Sequence, residues 1–254
     1  MAEWLDTAFR GFDYAILSAL HDFALSTGDG FGWFFRFISA ISLGGFGLLI
    51  PGFILLLFKR TRKIGAVMFG AVVIGAVITN LAVKPLVART RPFKLDEIRA
   101  WWEFVGSTQE SEKSFPSGHT TATTAAMFGL FLAGRKKYVW PALLCIPVMG
   151  LSRLYLMVHY PTDILGGVLA GAVAALLAFF IVKWIWRLLE AHADARFPAF
   201  VFGFDPVVAC VRYVKTRKQA DTVSENGDAP ADDTPADDPD EPPSDLTDET
   251  DEPR

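Results

Sequence analysis

Residues 164–182 read ILGGVLAGAVAALLAFFIV, an unbroken run without a charge. A helix needs about 20 mostly apolar residues to cross the hydrocarbon of a bilayer. Trp184 and Trp186 follow at once, in the place where aromatic anchors sit at a membrane edge. A soluble domain has little use for such a run, so it sets the fold class.

Upstream, Phe37–Phe58 carries no charge around a glycine-rich middle (Gly44, Gly45, Gly47), and Ile64–Val83 is strongly polar only at Thr79 and Asn80. Two shorter runs, Gly118–Gly134 and Tyr138–Ser152, lie between the clear ones and count as spans by position. Near the start, Phe12, Ile16, Ala19, Leu20 and Phe23 form a helical stripe, interrupted by Asp13, His21 and Asp22. The expected fold is an all-α integral membrane helical bundle of five or six transmembrane helices. Residues 1–30 are expected to be an amphipathic interfacial helix, with a sixth span as the alternative.

Composition agrees. Of 254 residues, 52% are hydrophobic and 22 are Phe. Two cysteines, Cys145 and Cys210, exclude a disulfide scaffold, and Cys145, in an apolar run, is expected to be buried. The net charge of −4 hides a division: 14 of the 28 acidic residues lie at Asp221 or beyond, so residues 1–220 carry +9. Residues 191–215 read as a second interfacial segment. The stretch 216–254 is an acidic tail too polar to offset its ordering entropy, and is expected to be disordered. No basic region opens the chain, so no cleaved signal peptide is expected.

Lys59, Arg60, Arg62 and Lys63, then Arg135–Lys137, then Lys183 and Arg187 fall on one side of a five-span bundle. The positive-inside rule makes that side, and the tail, cytoplasmic. The loop over 84–117 faces outward yet is also basic, so its charge calls for a functional reason. Trp101 and Trp102 in that loop read as interfacial anchors, or as a cover over a lipid entrance.

Three polar clusters fall on the outward side. In the first, Lys84 and Arg91 stand seven residues apart, followed by Pro92. Together they can grip a multiply charged anion, the Arg as a fork and the Lys as a point charge. Contact with lipid headgroups is the competing explanation. In the second, Pro116-Ser117-Gly118-His119, Ser117 suits an N-cap. That leaves free N–H groups and a close approach at Gly118 for an anion, with His119 placed to donate a proton. A plain helix start with an incidental histidine explains it equally. In the third, Arg153 precedes His159, and Pro161 suits the first position of a helix. Asp163 then falls in the first turn and reaches His159, fixing its tautomer for attack. A buried His–Asp pair tying two helices is the alternative. Taken together, three cations, a helix N-terminus and two histidines with one carboxylate fit phosphoryl transfer.

These three clusters resemble the signature of the type 2 phosphatidic acid phosphatase family over about residues 12–190. The resemblance implies a membrane catalytic domain over 31–190. It implies His159 as the nucleophile that becomes phosphohistidine, Asp163 as its partner and His119 as the general acid. Lys84, Arg91, Ser117, Gly118 and Arg153 would bind the phosphate. It implies hydrolysis of a lipid phosphate or diphosphate, such as undecaprenyl pyrophosphate, phosphatidylglycerol phosphate or phosphatidate. No metal and no cofactor are expected, since the clusters offer no carboxylate group suited to Mg²⁺. The expected partners are the lipid phosphate and the membrane, with no nucleic acid. A phosphotransferase with the same site, a vanadate-binding haloperoxidase and a non-catalytic headgroup-binding protein are the alternatives.

Overall fold

Glycine and alanine, placed every few residues, let three helices approach closely and build the centre of the molecule. The structure is a computed structural model that describes residues 1–28, 30–106, 111, 113–192, 203 and 212–217. Among these the chain is helical and contains no strand; an isolated bridge pairs Thr90 with Lys113. In chain order the helices are α1 (Ala2–Ala8), α2 (Arg10–Thr27), α3 (Gly32–Ile41), α4 (Leu49–Leu57), α5 (Arg62–Val77) and α6 (Lys84–Val87). They continue as α7 (Asp96–Phe104), α8 (Gly118–Ala133), α9 (Lys136–Val139), α10 (Cys145–Tyr155) and α11 (Pro161–Ala191). Two units make up the chain, Met1–Ala209 and Cys210–Arg254.

Helices α5, α8 and α11 pack around buried Ala71, Ala125, Ala174, Ala175 and Ala178. A β-carbon on Gly171 would stand 2.5 Å from the Thr121 carbonyl oxygen, so α11 and α8 approach backbone to backbone there. Helix α8 runs parallel to α11 and antiparallel to α5: Gly167 meets Thr120, Gly171 meets Thr124, Gly75 meets Thr121 and Gly129 meets Ala71. The end of α5, the start of α8 and the start of α11 therefore meet at one end of the bundle. The other end carries the Lys59–Lys63 and Arg135–Lys137 loops, and Lys63 lies over the Trp186 ring at 5.9 Å.

Among the described residues, three stretches are long and apolar enough to cross a membrane: Arg62–Val87, Lys136–Tyr155 and Pro161–Ala191. Gly32–Ile41 with Gly45–Leu57, bent by 60°, makes a fourth if it is one span. The bend is glycine chemistry: Gly45 has φ +100°, and a β-carbon there would meet Ala122 at 2.7 Å. Helix α8 has 16 residues, roughly 24 Å at 1.5 Å per residue. It sits at the protein centre, where neighbouring helices rather than lipid set its length.

Helix α2 differs from its sequence pattern. Its buried residues are Asp13, Leu17 and Ala24, while Phe12 and Phe23 of the expected stripe are exposed. The inward face is chosen by a polar anchor at Asp13, and the aromatic stripe points outward, as suits a lipid-facing surface. Cys145 likewise is exposed rather than buried, on an outward face of α10 where the surrounding residues are apolar. Trp101 and Trp102 are half-buried: Trp101 stacks on His21 at 4.7 Å and Trp102 on Phe93 at 5.1 Å, pinning α7 to the body. Of the segments expected over 191–215 and 216–254, most lies outside the described residues. Residues 212–217 form a short helical stretch in which Thr216 donates to the Arg212 carbonyl at 2.9 Å.

Candidate active site

The first cluster is shaped by a reversal of the chain. Residues Ile78–Val83 form a π-helical turn that carries α5 into α6. Helix α6 ends at Ala88, which adopts the left-handed conformation (φ 52°, ψ 37°). After this reversal, Arg91 turns into the bundle toward His159, and Arg89 turns to the other side, toward Asp163 and α2.

The second cluster is a helix start. Ser117 is extended (φ −66°, ψ 114°), and its hydroxyl oxygen accepts from Thr120 N, at 3.4 Å, and from Thr120 Oγ1. Gly118 and His119 are then the first residues of α8, with N–H groups not used by the helix. A β-carbon on Gly118 would lie 3.8 Å from Lys84 Nζ, so the first two clusters share one space.

The third cluster begins with a helix end. Met157 is left-handed (φ 54°); its N–H donates to Leu154 O and Val158 N–H to Arg153 O, the paired bonds of a Schellman cap. The chain turns there, presents His159, and restarts as α11 at Pro161. Asp163, in the first turn, accepts from Tyr160 N at 2.9 Å and from the Ser114 hydroxyl on the same Oδ2.

Five of the eight expected residues line one cavity of about 830 Å³: Lys84, Arg91, Gly118, His119 and His159. The other three stand behind it. Ser117 is buried and caps α8. Arg153 is buried and donates to the hydroxyl of Ser39, itself on the cavity wall. Asp163 is buried against His159, with Oδ2 at 3.3 Å from Nδ1.

The contacts of the His159 ring fit one histidine tautomer. Arg91 Nη1 lies 3.2 Å from His159 Nε2 and also donates to Val158 O at 2.8 Å. A guanidinium has only protons to offer, so Nε2 must present its lone pair. The ring proton then sits on Nδ1, facing Asp163. Nε2 on the cavity side, backed through the ring by a carboxylate, is the nitrogen that can attack once a bound phosphate accepts the Arg91 N–H in its place. Arg91 is held in turn by Ser111, whose carbonyl accepts from Nε at 2.5 Å.

Several further residues of the site carry little signal in the sequence. Arg89 was one charge among many in a basic loop, and is fully buried against Asp163. Its guanidinium stays protonated: burial alone would lower its proton affinity, but Asp163, Asp13 and Asp6 together raise it. Asp13 was an interruption in a stripe. An acid buried on an otherwise apolar helix was the available signal, and its partner could not be read from one dimension. Ser114 and Asn80 carried no signal beyond being polar in or near a span, yet Asn80 lines the cavity.

Residues 65–187 match the family model described as the PAP2 superfamily. The undecaprenyl-diphosphatase of Sulfolobus acidocaldarius is 31% identical over 149 residues, which cover 54% of this chain and 67% of that protein. The chain belongs to the PAP2 superfamily. Lys84, Arg91, Ser117, Gly118, His119, Arg153, His159 and Asp163 all lie inside the matched segment. The decaprenylphosphoryl-5-phosphoribose phosphatase of Mycolicibacterium smegmatis is 44% identical over 87 residues, 34% of this chain. That match spans 43% of the relative's length, so the chain spans less than half of that curated protein. A solved transmembrane PAP2-type phosphatidylglycerolphosphate phosphatase from Bacillus subtilis aligns with a TM-score of 0.42 and 23% identity, covering 72% of this chain and 96% of that one.

Proposed function

We propose that the protein is a membrane phosphatase that hydrolyses the phosphate or pyrophosphate ester of a lipid through a phosphohistidine on His159. The observation that carries this is the His159 ring, with Nδ1 toward Asp163 and Nε2 in a cavity shared with Lys84, Arg91 and His119. The lipid enters with its phosphate against Lys84, Arg91 and the N–H groups that open α8. Nε2 attacks phosphorus, and the bond to the leaving oxygen breaks as His119 gives that oxygen a proton. Water, deprotonated by the same His119, then attacks the phosphohistidine; phosphate leaves and Nε2 recovers its lone pair. The cations stabilise charge on the equatorial oxygens throughout.

The rest of the cavity supports a lipid substrate. Leu49, Val72, Val73, Val77 and Leu81 continue its wall away from the charged end. A headgroup site that opens onto apolar helix faces suits a substrate with a long hydrocarbon chain. The names of the two relatives described above, both polyprenyl phosphate enzymes, point the same way.

The site lies at the bundle end opposite the basic loops, so the proposal places it on the extracytoplasmic face, with the acidic tail in the cytoplasm. The test is phosphate release by the purified protein in detergent, on undecaprenyl pyrophosphate, phosphatidylglycerol phosphate and phosphatidate. Release from at least one, lost in His159→Ala, is expected. Transfer of the phosphate to a second lipid with none released would make it a transferase; no turnover of any would leave headgroup binding.

A further inference from the structure

Behind the His159–Asp163 pair lies a second charged cluster that the chemistry above does not use. Arg89 is fully buried and makes four side-chain bonds. Nη1 donates to Asp163 Oδ1 at 2.9 Å and to Thr162 Oγ1 at 2.7 Å. Nη2 donates to Asp13 Oδ2 and Nε to Asp6 Oδ1, each at 2.7 Å. Asp13, also buried, accepts from Thr162 N at 3.0 Å and from the Thr162 hydroxyl. The guanidinium lies over the Tyr160 ring, 3.9 Å from its centre.

Asp163 is thus held from both sides. Oδ2 takes Ser114, Tyr160 N and His159, while Oδ1 takes Arg89. The carboxylate cannot rotate without breaking the bond to Arg89. We propose that Arg89, fixed by Asp13 from α2, is a positioning residue for catalysis: it locks the Asp163 carboxylate and through it the orientation of the His159 ring. Helix α2 is then part of the catalytic machinery. This rests on His159 being the attacking group.

The geometry favours this over a simple anchor for α2. An anchor needs Arg89 to meet Asp13, and Asp6 at the surface would serve as well. It does not need the same guanidinium to spend its Nη1 on Asp163. A lysine in its place has one nitrogen where three carboxylates are spread around a planar fork, so it cannot hold them together.

The test uses two anions that read the site differently. Inorganic phosphate needs only the cations and helix N-terminus. Vanadate, which expands to five-coordinate, also needs the lone pair of a correctly aimed Nε2. Both are titrated by calorimetry into the purified full-length wild type, Arg89→Lys and Asp13→Asn, with thermal unfolding to show each is folded. Vanadate affinity is expected to fall about 10-fold or more in Arg89→Lys and less in Asp13→Asn, with phosphate affinity within about 2-fold, since a tenfold change is about 1.4 kcal/mol of lost orientation. In the Asp163→Asn background, Arg89→Lys is expected to add little, because its effect passes through Asp163. Equal loss of both anions, unchanged vanadate affinity in both variants, or losses that multiply with Asp163→Asn would overturn the proposal. A wild type that binds vanadate yet releases no phosphate from any lipid phosphate would sink the phosphatase assignment instead, and leave the comparison readable.

Discussion

His159 and His119 face the same cavity from two helix starts at one end of the bundle, and the proposed mechanism gives them different work. His159 has a buried carboxylate behind Nδ1 and a guanidinium beside Nε2. His119 lies in the first turn of α8 and lines the same cavity, where the proposed mechanism uses it as the proton donor. In His119→Ala, turnover of a lipid monoester is expected to fall about 10²–10⁴-fold, the usual contribution of such a proton transfer. Part of that is expected to return on p-nitrophenyl phosphate, whose leaving group needs no proton. His159→Ala should show no recovery on either substrate, and recovery there alone would reverse the two roles. Asp163→Asn is expected to fall between, because the ring remains but its tautomer is no longer held. Much of this site was legible in the sequence, since spacing alone places Ser117 before a helix and Asp163 one turn from His159. What was not legible was the layer behind. Ser39, Ser114 and Asp13 come from distant parts of the chain, and no local pattern links an acid at 13 to a carboxylate at 163.

At the scale of elements, the distance between the two histidines is set by how closely α8 lies on α11. Gly167 and Gly171 form that seam, and at Gly171 even one methyl group meets a backbone carbonyl. Gly171→Leu is therefore expected to push the helices apart and lower activity at least about 100-fold, as misplacement by 1 Å can do. It should also lower the melting temperature in detergent; full activity with a normal melting curve would show that the seam does not set the site. Helix positions followed from hydropathy because lipid demands long apolar runs. Helix faces did not. In α2 the aromatic stripe points outward and a charged residue inward, so the usual rule of apolar inside fails where lipid replaces water. The π-helical turn before Lys84 and the left-handed Ala88 had no sequence marker either, since neither is a glycine or proline position.

For the whole molecule, the arrangement predicts which way the bundle faces. Asp96, the first residue of α7, is almost fully exposed, at 98%. With Cys145 and Cys210 replaced, Asp96→Cys is expected to react with a membrane-impermeant thiol reagent in intact cells; labelling only after lysis would invert the topology. Activity is expected to survive EDTA, because Lys84 and Arg91 already bring the charge a divalent ion would supply; loss restored by Mg²⁺ would contradict this. The central claim is that His159 carries the phosphoryl group. Its most direct measurement is acid-labile, base-stable ³²P on the protein after rapid quenching with a ³²P-labelled lipid phosphate that the enzyme turns over. Label mapped to His159 and absent in His159→Ala is the predicted result. Label on another residue, or full turnover by His159→Ala, would contradict it.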